Sequence, residues 1–333
     1  MKEGASPLNP IYIERSGTSP TGLPKLLTPN SALLTIPTNY DLLRYFMYNL
    51  TDINTIKRVM SRHGVTFSKA LGQNFIIDPE VCPEIVRQSG VTEEDGVLEI
   101  GPGVGVLTQE IAKKAKKVVA LELDTRLIPV LADTLEDFSN VDVINADVMK
   151  TDLPGLFEEN FKDCINIHVI ANLPYYITSP IIMMLLESNL PIKAITVMVQ
   201  KEAGERLCAR VGSRDAGAVS VAVNYYSVAE ELFFVPRESF MPSPNVDSEV
   251  IKLSVRETPA INPTDEKFFF SVVKAAFSQR RKTAANGLSS GLGMAKNKIF
   301  EALTNAGLDT NVRAEKLTTE ELFALSEELY KMR

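Results

Sequence analysis

The sequence predicts an α/β fold: a Rossmann-like domain with a mostly parallel sheet covered on both faces, followed by a small all-α C-terminal domain. Three observations predict it. Short apolar, β-branched runs alternate with amphipathic segments between about residues 95 and 200, the interval of βαβ units. The first of these runs leads into the glycine turn "GPGVG" at 101–105. Past Pro259 and Pro263 the apolar period becomes helical.

Residues 1–46 hold six of the nineteen prolines and no sustained period, so they read as a disordered extension, with Met47 a candidate start. Ile53, Ile56, Val59 and Met60 mark a helix within 50–62. "FSKALGQNFIID" (67–78) reads as a loop, before a helix through Val81, Ile85 and Val86. "GVLEI" (96–100) is the first apolar strand, and "VLTQEIAKKA" a helix with Lys113 and Lys114 at its electronegative end. "KVVALEL" (117–123), "VDVINAD" (141–147) and "INIHVIANL" (165–173) are the next three strands, the first two separated by a helix through Leu127, Val130, Leu131 and Leu135. A helix over 181–186 and the strand "AITVMVQ" (194–200) continue the alternation. "AVSVAVNYYSVAEELFFV" (218–235) and "SEVIKLSV" (248–255) read as further strands, the last pair antiparallel. Helices are expected over 268–277, 299–303 and 320–330, giving domains of 47–259 and 260–333 after the extension.

Composition narrows the function. With 45% hydrophobic residues in 333 the chain can bury a large core. It has neither the ~18 to 20 consecutive apolar residues of a membrane span nor a secretory leader, so the default location is the cytoplasm. Cys82, Cys164 and Cys208 are odd in number and far apart, which suits reduced thiols. His63 and His168 are the only histidines, which disfavours both a metal site and histidine base chemistry. The net charge of −7 argues against a basic coat, yet residues 267–300 carry seven basic residues and no acid. That segment is a candidate phosphate-facing surface or a solvated helix face.

In a parallel sheet the ligand lies across the C-terminal strand ends. Four signals fall there. Gly101, Gly103 and Gly105 free the backbone for a ligand at a helix N-terminus, without the Gly-Lys-Ser/Thr of a phosphate loop or the spacing usual for pyrophosphate. Glu122 ends the second strand about twenty residues later, where an acid accepts from ribose hydroxyls. Asp147 can accept from an adenine amine, and Asn172 ends the fourth strand. An adenosine pocket without a pyrophosphate clamp points to S-adenosylmethionine rather than NAD, hence to methyl transfer.

"ANLPYY" (171–176) then acquires a chemical meaning. The lone pair of an adenine amine is delocalised into the ring. Acceptors at the Asn172 side-chain oxygen and the Leu173 carbonyl would hold its hydrogens and turn that lone pair outward, Pro174 would fix the turn, and Tyr175 would stack on the base. The sequence does not separate the role of Tyr176, stacking or packing alone, from that of Tyr175.

With these residues assembled, the chain from about residue 50 onward resembles the ribosomal RNA adenine dimethyltransferase family of the KsgA type. The resemblance rests on "LGQNFIID", "LEIGPGVGVLT", "ALELD", "NADVMKTDL", "ANLPYYITSPI", "FMPSPNVDSEVIKL" and "AFSQRRKTAANGL". It implies a class I S-adenosylmethionine-dependent methyltransferase domain whose cofactor residues fall on Asn74, Ile76, Gly101, Glu122, Asp147 and Asn172. Ile76 stands where leucine is more usual. It implies an aromatic partner for the target base at Phe240, which by composition alone reads equally well as core. It further implies dimethylation of two adjacent adenosines near the 3′ end of small-subunit rRNA, a late role in subunit assembly, a monomer, and RNA contacts from Arg280, Arg281 and Lys282 on a C-terminal helix. Three rival readings fit the sequence less well. The Erm type, acting on large-subunit RNA, matches "SQRRKTAANGL" less well. A noncatalytic factor of the same fold predicts loss of Gly101, Glu122 or Asn172, and a DNA adenine methyltransferase needs a target-recognition domain for which the chain has little room.

Overall fold

The computed structural model describes residues 48–66 and 74–333. The expected extension over 1–46, Met47 and the "FSKALGQ" segment (67–73) lie outside the described residues. The strands are β1 (Phe75–Ile76), β2 (Gly96–Ile100), β3 (Lys117–Glu122), β4 (Val141–Asn145), β5 (Ile167–Asn172), β6 (Ile192–Gln200), β7 (Ser227–Val235), β8 (Phe240–Met241) and β9 (Ser248–Val255). A seven-stranded sheet in the order β4-β3-β2-β5-β6-β9-β7 organises the chain, while β1 and β8 pair by themselves. The pairings from β4 through β6 are parallel, whereas β9 runs antiparallel to both β6 and β7.

Alternation along the strands builds two cores, since successive side chains point to opposite faces. Val97, Val118 and Ala120 join one cluster with α1 (Ile53–Arg62), α2 (Val81–Ser89), α3 (Val106–Ala112) and α4 (Ile128–Thr134). Leu98, Val119 and Leu121 join the other with α5 (Leu153–Asn160) and α6 (Thr178–Glu187). Helix α5 is marked in the sequence by Asp152, whose carboxylate caps the Gly155 N–H at 3.4 Å, and by Pro154 in the first turn. A short helix α7 (Lys201–Cys208) follows β6 directly.

One expected strand is in part a helix. Residues 218–235 divide into α8 (Ala218–Tyr226) and β7. The β-branched run favours a strand by local propensity, but both sides of α8 are covered. Val223 packs in the second cluster, and Val221 and Tyr225 in a third. A helix buried on two faces loses the one-sided period that identifies it. Ser220 fixes its start: Oγ accepts the Gly217 N–H at 2.9 Å and donates to the Arg206 carbonyl at 2.6 Å.

The third cluster is helical, formed by α9 (Glu266–Phe277), α10 (Ala284–Leu292), α11 (Lys296–Asn305) and α12 (Thr319–Lys331), and it reaches back to Val211. Gly287 and Gly291 let α10 press onto α9: a Cβ at Gly287 would land on the Ala275 carbonyl oxygen, and one at Gly291 would meet the Ala275 methyl at 2.6 Å. Among the described residues no helix is long and apolar enough to cross a membrane.

Candidate active site

The chain winds from β2 through β3 to β4 on one side, then returns to place β5 on the other side of β2. A crevice opens where the winding reverses. Its floor is the turn after β2. Gly101 and Gly103 adopt φ of 70° and 63°, the left-handed region that side chains rarely take. A Cβ on Gly101 would project into open space, so the backbone there faces the cavity bare. The turn is braced from behind, where Thr134 Oγ1 donates to the Val104 carbonyl at 2.9 Å.

Ten of the predicted residues line this one cavity: Asn74, Ile76, Gly101, Gly103, Glu122, Asp147, Asn172, Leu173, Pro174 and Tyr175. Glu122, the last residue of β3, is 7% exposed and accepts the N–H groups of Gly103 at 3.2 Å and Asp124 at 2.8 Å. Burial pushes its carboxyl up to about 7 despite those two bonds. Asp147 accepts from the Met149 N–H at 3.0 Å and pairs with Lys150 at 3.2 Å.

Asn172 sits at the tip of β5, where its amide nitrogen donates to the Asn74 carbonyl at 3.4 Å. That bond leaves the amide oxygen without a partner among the described residues. The following turn is tied by the Pro174 carbonyl, which accepts from the Ile177 N–H at 3.1 Å and the Thr178 hydroxyl at 3.2 Å. The Tyr175 hydroxyl meets Ser248 Oγ at 2.7 Å, and burial raises its phenol above the ordinary value. Tyr176, whose role beside Tyr175 the sequence leaves open, lines the same cavity and is 67% exposed.

Phe240 and the basic triplet stand apart from this cavity. Strand β8 pairs antiparallel with β1, setting Phe240 opposite Ile76, and the Phe240 ring is 2% exposed within the first core. Arg280, Arg281 and Lys282 are exposed in the turn between α9 and α10 and not on a helix. The chain must reverse there for α10 to lie on α9. The Lys282 N–H donates to the Gln279 carbonyl at 2.9 Å, closing the turn, and Thr283 is extended.

Sequence reasoning missed Glu99. It lines the cavity in β2 at 2% exposure, and its Oε2 has no hydrogen-bond partner among the described residues. Burial pushes its carboxyl up to about 8, and the neighbouring Glu122 charge adds to the rise. An acid inside an otherwise apolar strand is the signal that could have found it. Ser248 carried no such signal. Neither histidine lines the cavity, and His168 is buried beside Asp95 at 3.7 Å. Among the described residues no three His, Cys, Asp or Glu side chains gather as metal ligands, and all three cysteines are free.

Comparison with known proteins gives a consistent set of likenesses. The family model for ribosomal RNA adenine dimethylase matches residues 64–331. The ribosomal RNA small subunit methyltransferase A of Shouchella clausii is 50% identical over 284 residues, 84% of this chain and 96% of its own length. That of Bacillus pumilus is 49% identical over 284 residues, covering 84% and 97%. Among solved structures, a dimethyladenosine transferase from Plasmodium falciparum superposes with a TM-score of 0.63 at 26% identity, over 77% of this chain and 97% of the other. The 23S rRNA methyltransferase ErmE gives 0.59 at 25% identity, over 77% and 100%.

Proposed function

The chain belongs to the ribosomal RNA adenine dimethylase family, and from that membership we propose how its residues carry the reaction. It is an S-adenosylmethionine-dependent rRNA adenine dimethyltransferase. Its substrate, on this reading, is the pair of adjacent adenosines in the 3′-terminal hairpin of small-subunit rRNA, each methylated twice at N6. The half-identical relatives carry the small-subunit name, whereas the large-subunit enzyme ErmE is only 25% identical.

One observation carries the residue assignment. The partner-free amide oxygen of Asn172 belongs to a residue lining the same cavity as the bare glycine turn and Glu122. The lining fits the cofactor: Glu99 is a buried acid with an unpartnered oxygen, suited to a ligand with cationic groups, and Glu122 keeps lone pairs for a vicinal diol. When bound, S-adenosylmethionine supplies an electrophilic methyl group on a sulfonium. Asn74 and Ile76 would wall the site, Gly101 and Gly103 would admit the ligand against their backbone, and Asp147 would accept from its adenine amine.

Toward the target base, Asn172 Oδ1 and the Leu173 carbonyl would each accept a hydrogen of the amine, which turns the nitrogen lone pair toward the methyl. Pro174 holds that carbonyl's turn, Tyr175 supplies a face for stacking, and Phe240, paired with Ile76 across β1 and β8, would brace the strand that carries Ile76. The proton leaves after transfer, so no strong base is required. The helices after residue 260 would form the RNA-binding unit, with Arg280, Arg281 and Lys282 on phosphates. The partner is then the assembling small subunit, met by a monomer in the cytoplasm.

The test is label transfer from tritiated S-adenosylmethionine to unmethylated small subunits, large subunits and duplex DNA. Label confined to two adjacent adenosines of the small subunit is expected; label on large subunits or DNA alone would overturn the reading.

A further inference from the structure

The basic residues of the C-terminal unit are separated in sequence but joined in space. Lys296, the first residue of α11, donates from Nζ to Asn286 Oδ1 at 2.9 Å, and Asn286 Nδ2 donates to Thr283 Oγ1 at 3.0 Å. Thr283 follows Lys282 directly. Asn286 therefore links the start of α11, with Lys296, to Thr283 at the end of the turn that carries Arg280, Arg281 and Lys282. All four basic residues are exposed.

An aromatic ring lies beside Lys296. Phe300 is 37% exposed, one turn along α11 from Lys296, whose ammonium sits 5.5 Å from the ring centroid. The pair places an aromatic face and a positive charge side by side, which suits a ligand with both a π face and an anion. Nucleotides have both. A membrane surface would ask for a broad apolar face, and Phe300 is a single ring.

We propose that Lys296 and Phe300 form a nucleotide-binding subsite of the RNA surface, with an unpaired base against the Phe300 ring and its phosphate on Lys296. The proposal rests on the rRNA reading above and goes beyond it, because it assigns base contact to a surface otherwise read as contacting phosphates alone.

Affinity of the full chain for unmethylated small subunits, followed across a salt series, tests it. Phe300→Ala is expected to weaken binding about tenfold at every salt concentration without changing the salt slope, since stacking releases no counterions. Lys296→Gln is expected to reduce the slope of log affinity against log salt by about 0.7 to 0.9, the loss of one phosphate contact. Unchanged thermal unfolding and cofactor affinity would show both variants folded. If Phe300→Ala binds as wild type does, the subsite is overturned. Should that variant fail to fold, ultraviolet cross-linking of the wild-type complex decides: a nucleotide adduct within 296–300 supports the subsite, and adducts confined to other segments overturn it. A wild-type chain that neither binds nor methylates small subunits would instead defeat the rRNA reading itself.

Discussion

The hydroxyls of Tyr175 and Ser248 meet at 2.7 Å across 73 residues of sequence. The bond ties the turn after β5 to the first residue of β9 and so sets the inclination of the proposed stacking ring. Ser248→Ala is expected to cost about 1 kcal/mol of stability and to slow single-turnover methyl transfer several-fold. Tyr175→Phe should do the same, and the double variant should be little worse than either single one. Fully additive effects in that cycle would show that the bond does not position the ring.

Asn172→Ala should lower methyl transfer by roughly two orders of magnitude, as removal of a preorganised polar group at a reacting centre does. Binding to the small subunit should hardly change, because the proposed RNA surface lies elsewhere. Single-turnover rates beside equilibrium binding make the comparison. Unchanged turnover would sink the acceptor role.

Glu99 and Glu122 give the proposed cofactor site a pH dependence. Their carboxyls are raised to about 8 and about 7, from an ordinary 4.5. The folded chain thus holds protons that the unfolded chain releases, and the stability of the cofactor-free protein should fall as pH rises from about 5 to 8. Glu99→Gln should flatten that fall. Cationic groups and ribose hydroxyls favour the ionised acids, so cofactor binding should release protons. Affinity should rise about tenfold from pH 6 to pH 8 through Glu122 alone, as its ionised fraction grows. Thermal unfolding across that range follows the stability, and calorimetry in two buffers of different ionisation enthalpy measures the affinity and the proton release.

Gly287→Ala should destabilise the C-terminal unit by about 1 to 3 kcal/mol, the usual range for overpacking. The added methyl would strike backbone, the Ala275 carbonyl, which cannot swing aside as a side-chain tip can. Thermal unfolding checks the loss of stability. Displacing α10 would also disturb the 280–282 turn, so small-subunit affinity should fall in parallel.

Much of the candidate site was legible because its signals are local. Glycines in a left-handed turn, an acid at the end of β3 and an asparagine at the end of β5 each announce themselves within a few residues. Glu99 was passed over because its meaning comes from burial and a missing partner, neither of which a sequence displays. Helix α8 was misread because its second face is covered by residues more than forty positions later, such as Phe269, which stacks on Tyr225 at 5.8 Å. The placement of Arg280 to Lys282 in a turn depended on how closely two small-residue helices approach, again a property of the packed pair.

The dual membership of α8 makes the stability of the two units interdependent. Val221 and Tyr225 precede β7 and β9, yet their cluster is completed only by Leu322, Leu325 and Leu329. The tyrosine hydroxyls of 225 and 226 likewise depend on Glu266, which accepts from them at 3.1 and 2.7 Å. Phe269 of α9 stacks on Tyr225, so the second face of α8 is covered by residues that lie beyond both β7 and β9, and the strands are tied through α8 to the helices that follow them.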